Sequence, residues 1–231
     1  MLTLDVFNET GQKVGQVDFD ESTLGEKIRK RLMHDYVIMF EANQRQGNAK
    51  TKTVAEVAGS GKKIYKQKHT GRARAHYRRS HLRTHGGVAH GPVPRDYHYQ
   101  MPRRAKREAL KSALLSKFID KEVVVLDALS FAEPKSNRLK KALKANNVNR
   151  SALIVIPEYD KNLTLSARNV PTITLSPSKE INAYQVLVAN RVVFTKAALE
   201  GLAAWISTHP GTAGNNSGET ETAAAAASAG K

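Results

Sequence analysis

No cysteine occurs in the 231 residues, which excludes disulfides and cysteine-ligated zinc and fits a reducing compartment. No apolar run approaches the ~20 residues that a membrane-spanning helix needs. The start of the chain, Met1-Leu2-Thr3-Leu4-Asp5, has neither the basic region nor the apolar stretch of a signal peptide. A soluble, intracellular protein without membrane partners is therefore expected. Two further absences are local. Between Lys50 and Arg107 the only acidic residues are Glu56 and Asp96, and the large apolar residues are few: Val54, Val57, Ile64, Leu82, Val88, Val93 and Met101. No helical or strand period links them. A segment this poor in apolar surface cannot offset its own ordering entropy, so by itself it is expected to be without fixed structure.

What fills the same stretch is positive charge. It holds sixteen Lys and Arg, namely Lys50, Lys52, Lys62, Lys63, Lys66, Lys68, Arg72, Arg74, Arg78, Arg79, Arg83, Arg95, Arg103, Arg104, Lys106 and Arg107. Sixteen cations against two anions leave +14 of the chain's net +16 in this one quarter. A dense polyanion is the partner such a block requires, and nucleic acid fits best. An acidic membrane surface fits poorly, because Gly71, Gly86, Gly87, Gly91, Pro92 and Pro94 prevent an amphipathic helix. The tyrosines Tyr65, Tyr77, Tyr97 and Tyr99 interleave the cations. Rings and guanidinium planes stack on unpaired bases while Lys and Arg follow phosphates, which points to RNA. The alternative for Tyr97 and Tyr99 is packing at the base of the loop itself. A segment of ~55 residues doubled on itself could reach up to about 90 Å. The remaining body, at ~150 ordered residues, has a radius of gyration of roughly 15 Å. The loop thus resembles a probe threaded into something large.

The rest reads as an α/β fold. Residues 2–7 and 14–19 alternate as two strands of a hairpin. Thr23-Leu24-Gly25-Glu26 matches a capping box, and Leu24, Ile28, Leu32, Tyr36 and Phe40 predict a helix over about 24–44. After the loop (47–102), Pro102 opens a helix with Leu110, Leu114 and Phe118 on one face. Its first turn carries Arg103, Arg104, Lys106 and Arg107, cations that oppose the helix dipole unless an anion docks there. An ordinary solvated face is the alternative. Apolar runs at Val123–Leu126 and Leu153–Ile156 and strands at Thr172–Leu175 and Val192–Phe194 then alternate with helices. Ser136 opens one of these helices as its cap; others cover about 160–168 and 179–188, and the last is capped by Thr195 and reaches Ile206. This is the pattern of a three-layer αβα domain with a mostly parallel central sheet. Met39, Phe118 and Trp205 are expected in its core. One globular domain over 1–207, interrupted by the loop, and a disordered tail over 208–231 complete the organisation.

Catalysis finds no footing. Gly59-Ser60-Gly61-Lys62-Lys63 fails as a phosphate loop, since Lys63 stands where Ser or Thr must follow the Lys and Glu56 where the first Gly belongs. Ile156 leads into Pro157-Glu158-Tyr159, not a glycine-rich dinucleotide turn. No paired carboxylates lie near the basic block, so a metal-dependent nuclease is not expected, and an RNA-processing enzyme is the weakest of the readings. Six of the eight histidines (His69, His76, His81, His85, His90, His98) lie in the loop. Metal binding is disfavoured there by the surrounding cations and the lack of acidic residues between Glu56 and Asp96. No cofactor, catalytic residue or metal ligand is assigned.

Several motifs in order carry a family resemblance. Gly59-Ser60-Gly61-Lys62-Lys63, Gln67-Lys68, Thr70-Gly71-Arg72-Ala73-Arg74, Gly86-Gly87-Val88 and Gly91-Pro92-Val93-Pro94-Arg95-Asp96-Tyr97 resemble the bacterial form of ribosomal protein L-four. The likeness extends through the Leu110–Leu114 helix and Val192-Val193-Phe194-Thr195-Lys196-Ala197-Ala198, covering about 1–206. It implies a structural constituent of the large subunit, with an αβα domain on the solvent side and a loop penetrating 23S rRNA. Lys50, Lys52, Arg72, Arg74, Arg78, Arg79, Arg83, Arg95 and the 103–107 cluster would hold that RNA. Gly61, Lys62, Lys63, Tyr65, Lys66, Gln67 and Lys68 would form a tip at the peptide exit tunnel, beside the L-twenty-two family and the nascent peptide. Some members of the family repress their own operon, so a free translational repressor binding its own mRNA leader is the alternative. This sequence departs from the family at His69, in the run His76-Tyr77-Arg78-Arg79-Ser80-His81, and at His85 and His90.

Overall fold

A computed structural model describes residues 2–208. By its internal contacts the chain forms two compact units, one built from the segments up to Phe40 and from Met101 onward, the other from Glu41–Gln100. The proposed tail over 208–231 lies outside the described residues, except for Thr208.

In the first unit, β1 (Leu2–Phe7) and β2 (Lys13–Phe19) form the antiparallel hairpin that the alternation predicts. The helix that follows departs from expectation. Asp20 caps a short 3-10 turn, Glu21–Leu24, by accepting the Ser22 N–H at 3.2 Å, and α1 (Lys30–Gln44) begins six residues after the predicted start. Gly25 sits at φ 114°, a conformation that the interior of a helix does not allow, so the capping-box reading fails at its third residue. α2 (Arg103–Ile119) starts directly after Pro102, which lacks the N–H that a first helical turn leaves unused.

The remaining elements alternate as expected: β3 (Val123–Leu126), α3 (Ser136–Ala145), β4 (Ala152–Ile156), α4 (Lys161–Arg168), β5 (Ile173–Pro177), α5 (Ala183–Val188), β6 (Arg191–Thr195) and α6 (Lys196–Thr208). Three boundaries differ. Ser136 is the first helical residue and not the cap, a position taken by Lys135 without any side-chain bond. The helix predicted over 179–188 shrinks to six residues, because Asn182 accepts the Gln185 N–H at 2.9 Å and restarts the chain there. Thr195 belongs to the end of β6 instead of capping α6.

The six strands order as β2-β1-β3-β6-β4-β5, parallel throughout except for the β1–β2 pair. Side chains of a strand alternate between faces, so an unbroken apolar run is what a sheet buried on both sides demands. β4 shows this plainly: all five residues are buried. Leu153 and Val155 join Val125, Val192 and Phe194 in one core with α1, α2, α5 and α6. Ile154 and Ile156 join Val124, Leu126 and Val193 in a second core with α3 and α4. That is a three-layer αβα domain. Met39 and Phe118 are buried in it, while Trp205 packs against it half-buried. Lys111, on the inner side of α2, is 2% exposed, and burial pushes its ammonium below the usual lysine range.

Candidate nucleic-acid interface

The second unit contains the cationic segment, and residues 45–102 hold no helix and no strand, only turns and one isolated bridge. The absence of apolar period is thus matched by an absence of regular structure. The structure nevertheless departs from a segment without any order of its own. Two limbs run back along each other and are tied by backbone bonds. Arg95 N–H donates to the Gly47 carbonyl at 3.2 Å, Thr51 to Pro92 at 3.2 Å, Val88 to Lys52 at 3.0 Å and Ile64 to His76 at 3.2 Å. Glycine makes the close approach possible: a Cβ on Gly87 would lie 2.4 Å from the Val54 nitrogen. Backbone pairing takes the place of a core here.

At the base of this arm, the Arg95 guanidinium lies 4.3 Å from the Tyr97 ring centroid and that of Arg45 lies 5.6 Å from it. The Tyr99 N–H donates to Asn43 Oδ1 at 3.0 Å, and the His98 N–H to Asp96 Oδ1 at 2.8 Å. Tyr97 therefore serves the base of the loop, the packing alternative raised for it. Further out, the Lys63–Tyr77 bridge and the bond from the Tyr65 hydroxyl to the Ala73 carbonyl close a two-limbed excursion. Its apex falls at about 69–71, where His69 and Gly71 take φ of 61° and 64°. Lys66, Gln67 and Lys68 sit next to that apex. Gly61 and Lys62 come before the bridge, so the proposed tip of Gly61, Lys62, Lys63, Tyr65, Lys66, Gln67 and Lys68 is shifted by several residues from the turn itself. Arg72 belongs to the turn as much as Lys68 does. Lys63 Nζ donates to Gln67 Oε1, within the turn.

The proposed RNA-binding cations divide into three kinds. Lys52, Arg72, Arg74, Arg78, Arg83 and Arg95 are exposed, as an electrostatic partner surface requires. Lys50 is exposed too, but its Nζ lies 2.8 Å from Glu56 Oε1. That ammonium, with the Thr53 N–H, holds the Glu56 carboxyl below its usual range. Arg79 is half-buried: its Nη1 donates to the Val57 carbonyl at 3.2 Å, and its Nε is buried without a partner. Its first role is to tie one limb to the other, which a count of charges does not show. In the other unit, Arg103 and Arg104 are exposed in the first turn of α2, whereas Lys106 and Arg107 are half-buried.

Among the described residues no group of three or more His, Asp or Glu stands close enough to hold a metal ion, and no helix is long and apolar enough to cross a membrane. Three loop histidines instead share a backbone property. His69, His85 and His90 take φ of 61°, 62° and 52°. All three are among the positions where the sequence departs from the L-four pattern. Left-handed backbone costs an L-residue about 1–2 kcal/mol, and a β-branched residue tolerates it worst. His69→Val is therefore expected to loosen the apex and raise the exchange rate of the Ile64 amide, whereas His69→Gly leaves that rate unchanged or lowers it. Equal rates in both variants would remove backbone strain from the account of the apex.

An α/β domain that carries a long, two-limbed cationic arm is the class which fold and site define. The profile of the Ribosomal protein L4/L1 family matches residues 17–205, and the chain belongs to that family. It is 43% identical over 194 residues to a large ribosomal subunit protein uL4 of Thermoanaerobacter sp. (strain X514), covering 84% of this chain and 94% of that one. The uL4 of Symbiobacterium thermophilum is 41% identical over the same shares. That of Lachnospira eligens is 42% identical over 87% of this chain and 98% of its own length.

Two residues of the arm escaped the reading of the sequence. Ile64 and Leu82 counted there only as scattered apolar residues, yet both are exposed, Leu82 at 81%. The signal that could have found them is their isolation: large aliphatic side chains with nothing in register to pack against.

Proposed function

We propose that this chain is a structural constituent of the large ribosomal subunit, ribosome-bound in the cytoplasm. Its arm binds 23S rRNA, supports subunit assembly and lines the nascent-peptide exit tunnel beside a protein of the L-twenty-two family. The observation that carries this reading is an exposed row of arginines on a two-limbed arm that has no apolar core, in a member of a ribosomal protein family. Such an arm makes phosphate contacts along its whole length. Fractionation tests it. The protein should remain with large-subunit particles through a high-salt wash; a pool found wholly in the free fraction would instead favour the translational repressor acting on its own mRNA leader.

A second expectation concerns order. The ties between the limbs are few and exposed, and such bonds open at a small fraction of the free energy that protects the αβα core. In the free protein, amides across 50–101 should exchange quickly, and they should become protected when 23S rRNA binds. Strong protection in the absence of RNA would contradict the idea that RNA completes the arm's structure.

A further inference from the structure

Residues 64–85 of the arm enclose an open cleft of about 710 Å³, within the ~300–1,000 Å³ typical of sites for small organic molecules. Arg74, Arg78 and Arg83 line it together with His76 and His85, and no acidic residue is among its lining residues. Two backbone bonds hold its walls: Ile64 N–H to the His76 carbonyl at 3.2 Å, and Arg83 N–H to the Ser80 carbonyl at 3.0 Å. Ala75 and Ser80 are buried within it. Into the same concavity the arm places Ile64, 45% exposed, and Leu82, 81% exposed.

Exposed aliphatic residues scattered singly over a surface need no explanation. Here two of them line one cleft with three arginines. Phosphates account for the arginines and offer nothing to Leu82. An apolar ligand would account for Leu82 but would leave the arginines desolvated without a counter-charge. A nucleotide whose base has left its stack satisfies both, since the flat face of a base is apolar and its own phosphates are anionic. We propose that this cleft receives one unstacked nucleotide of the bound rRNA, its base lying against Leu82 and Ile64 and its flanking phosphates held by Arg74, Arg78 and Arg83. The proposal rests on the rRNA-binding function above and adds a single-nucleotide recognition site to it.

The test uses the full chain and transcribed 23S rRNA, titrated at several salt concentrations, with chemical probing of the complex at nucleotide resolution. Leu82→Ala should weaken binding about tenfold, the order expected when the burial of one leucine side chain is lost. The slope of log affinity against log salt should not change, because an apolar contact releases no counterion. Arg83→Ala should weaken binding and lower the slope by about one unit. Probing should find one unpaired nucleotide whose base is protected by the native protein and not by Leu82→Ala. Leu82 packs against little, so the fold is not at risk, and Leu82→Phe provides a second variant that should keep the protection. Binding by Leu82→Ala within about twofold of native, about 0.4 kcal/mol, with the same protection pattern, overturns the nucleotide site. If Arg83→Ala still lowers the slope in that case, the rRNA-binding function stands without the cleft. If neither substitution changes anything, the cleft lies outside the interface and only the nucleotide site falls; if the native chain itself fails to bind the rRNA, both readings fall.

Discussion

Replacing Arg72, Arg74, Arg78 and Arg83 together with alanine is expected to flatten the salt dependence of rRNA binding by roughly three to four units. Each phosphate contact contributes about 0.9 to that slope on duplex and about 0.7 on single strands. Over a fourfold rise in salt, the native chain would then lose on the order of a hundredfold more affinity than the variant. All four residues are exposed, and the bond from the Arg83 N–H to the Ser80 carbonyl is a backbone bond that alanine keeps, so the arm's backbone pairing should survive. Arg79 is left out deliberately. Its guanidinium holds the Val57 carbonyl, and its loss would mix a structural effect with an electrostatic one. Salt titration by filter binding or calorimetry decides the matter. An unchanged slope would take these four arginines out of the interface.

Phe118→Ala is expected to lower the stability of the αβα unit by about 3–5 kcal/mol, the usual cost of deleting a buried phenylalanine. The ring is 2% exposed and stands in the middle of a ladder. Its centroid lies 4.8 Å from that of Phe19 and 6.5 Å from that of Phe194, at interplanar angles of 12° and 8°. One side chain on α2 thus fastens the β1–β2 hairpin and the central strand β6 to the same helix. A cavity there cannot collapse without moving all three. Against a total of about 5–15 kcal/mol for an ordinary domain, the loss is a large part of what holds the unit folded. Urea unfolding should show a lower midpoint at constant m-value. Val14→Ala, at a side chain 55% exposed on β2, should stay within about 0.5 kcal/mol and serves as the control. A Phe118 variant as stable as that control would show that the ring ladder contributes nothing to stability.

How far the structure could be read beforehand follows from the range of the forces involved. All six strands and the helices α2, α3, α4 and α6 are marked by apolar runs, alternation or one-sided apolar spacing, and these survive within a residue or two. The exceptions lie where a single polar residue or a glycine overrides the period. Gly25 delays α1, and the Asn182 cap shortens α5. Lys111 was invisible as a buried residue, because its neighbours in α2 give no hint of which flank the αβα packing covers.

Within the arm, the cations were all legible and their employment was not. Charge can be counted along the chain, so a segment of concentrated positive charge and its extent follow from residue types alone. Whether a particular guanidinium faces solvent, as at Arg78, or braces the opposite limb, as at Arg79, depends on residues more than twenty positions away. The sharing of one cleft by Ile64, Arg74 and Leu82 is of the same kind.

By itself, then, the amino-acid sequence determined the class of the fold, the concentration of positive charge in one segment and the family. All of these rest on local composition and short-range spacing. Tertiary structure alone decided where the arm turns, which cations remain available to a partner, and that two isolated aliphatic residues meet three arginines around a common cavity. Those outcomes are set by contacts between distant parts of the chain, which no local pattern encodes.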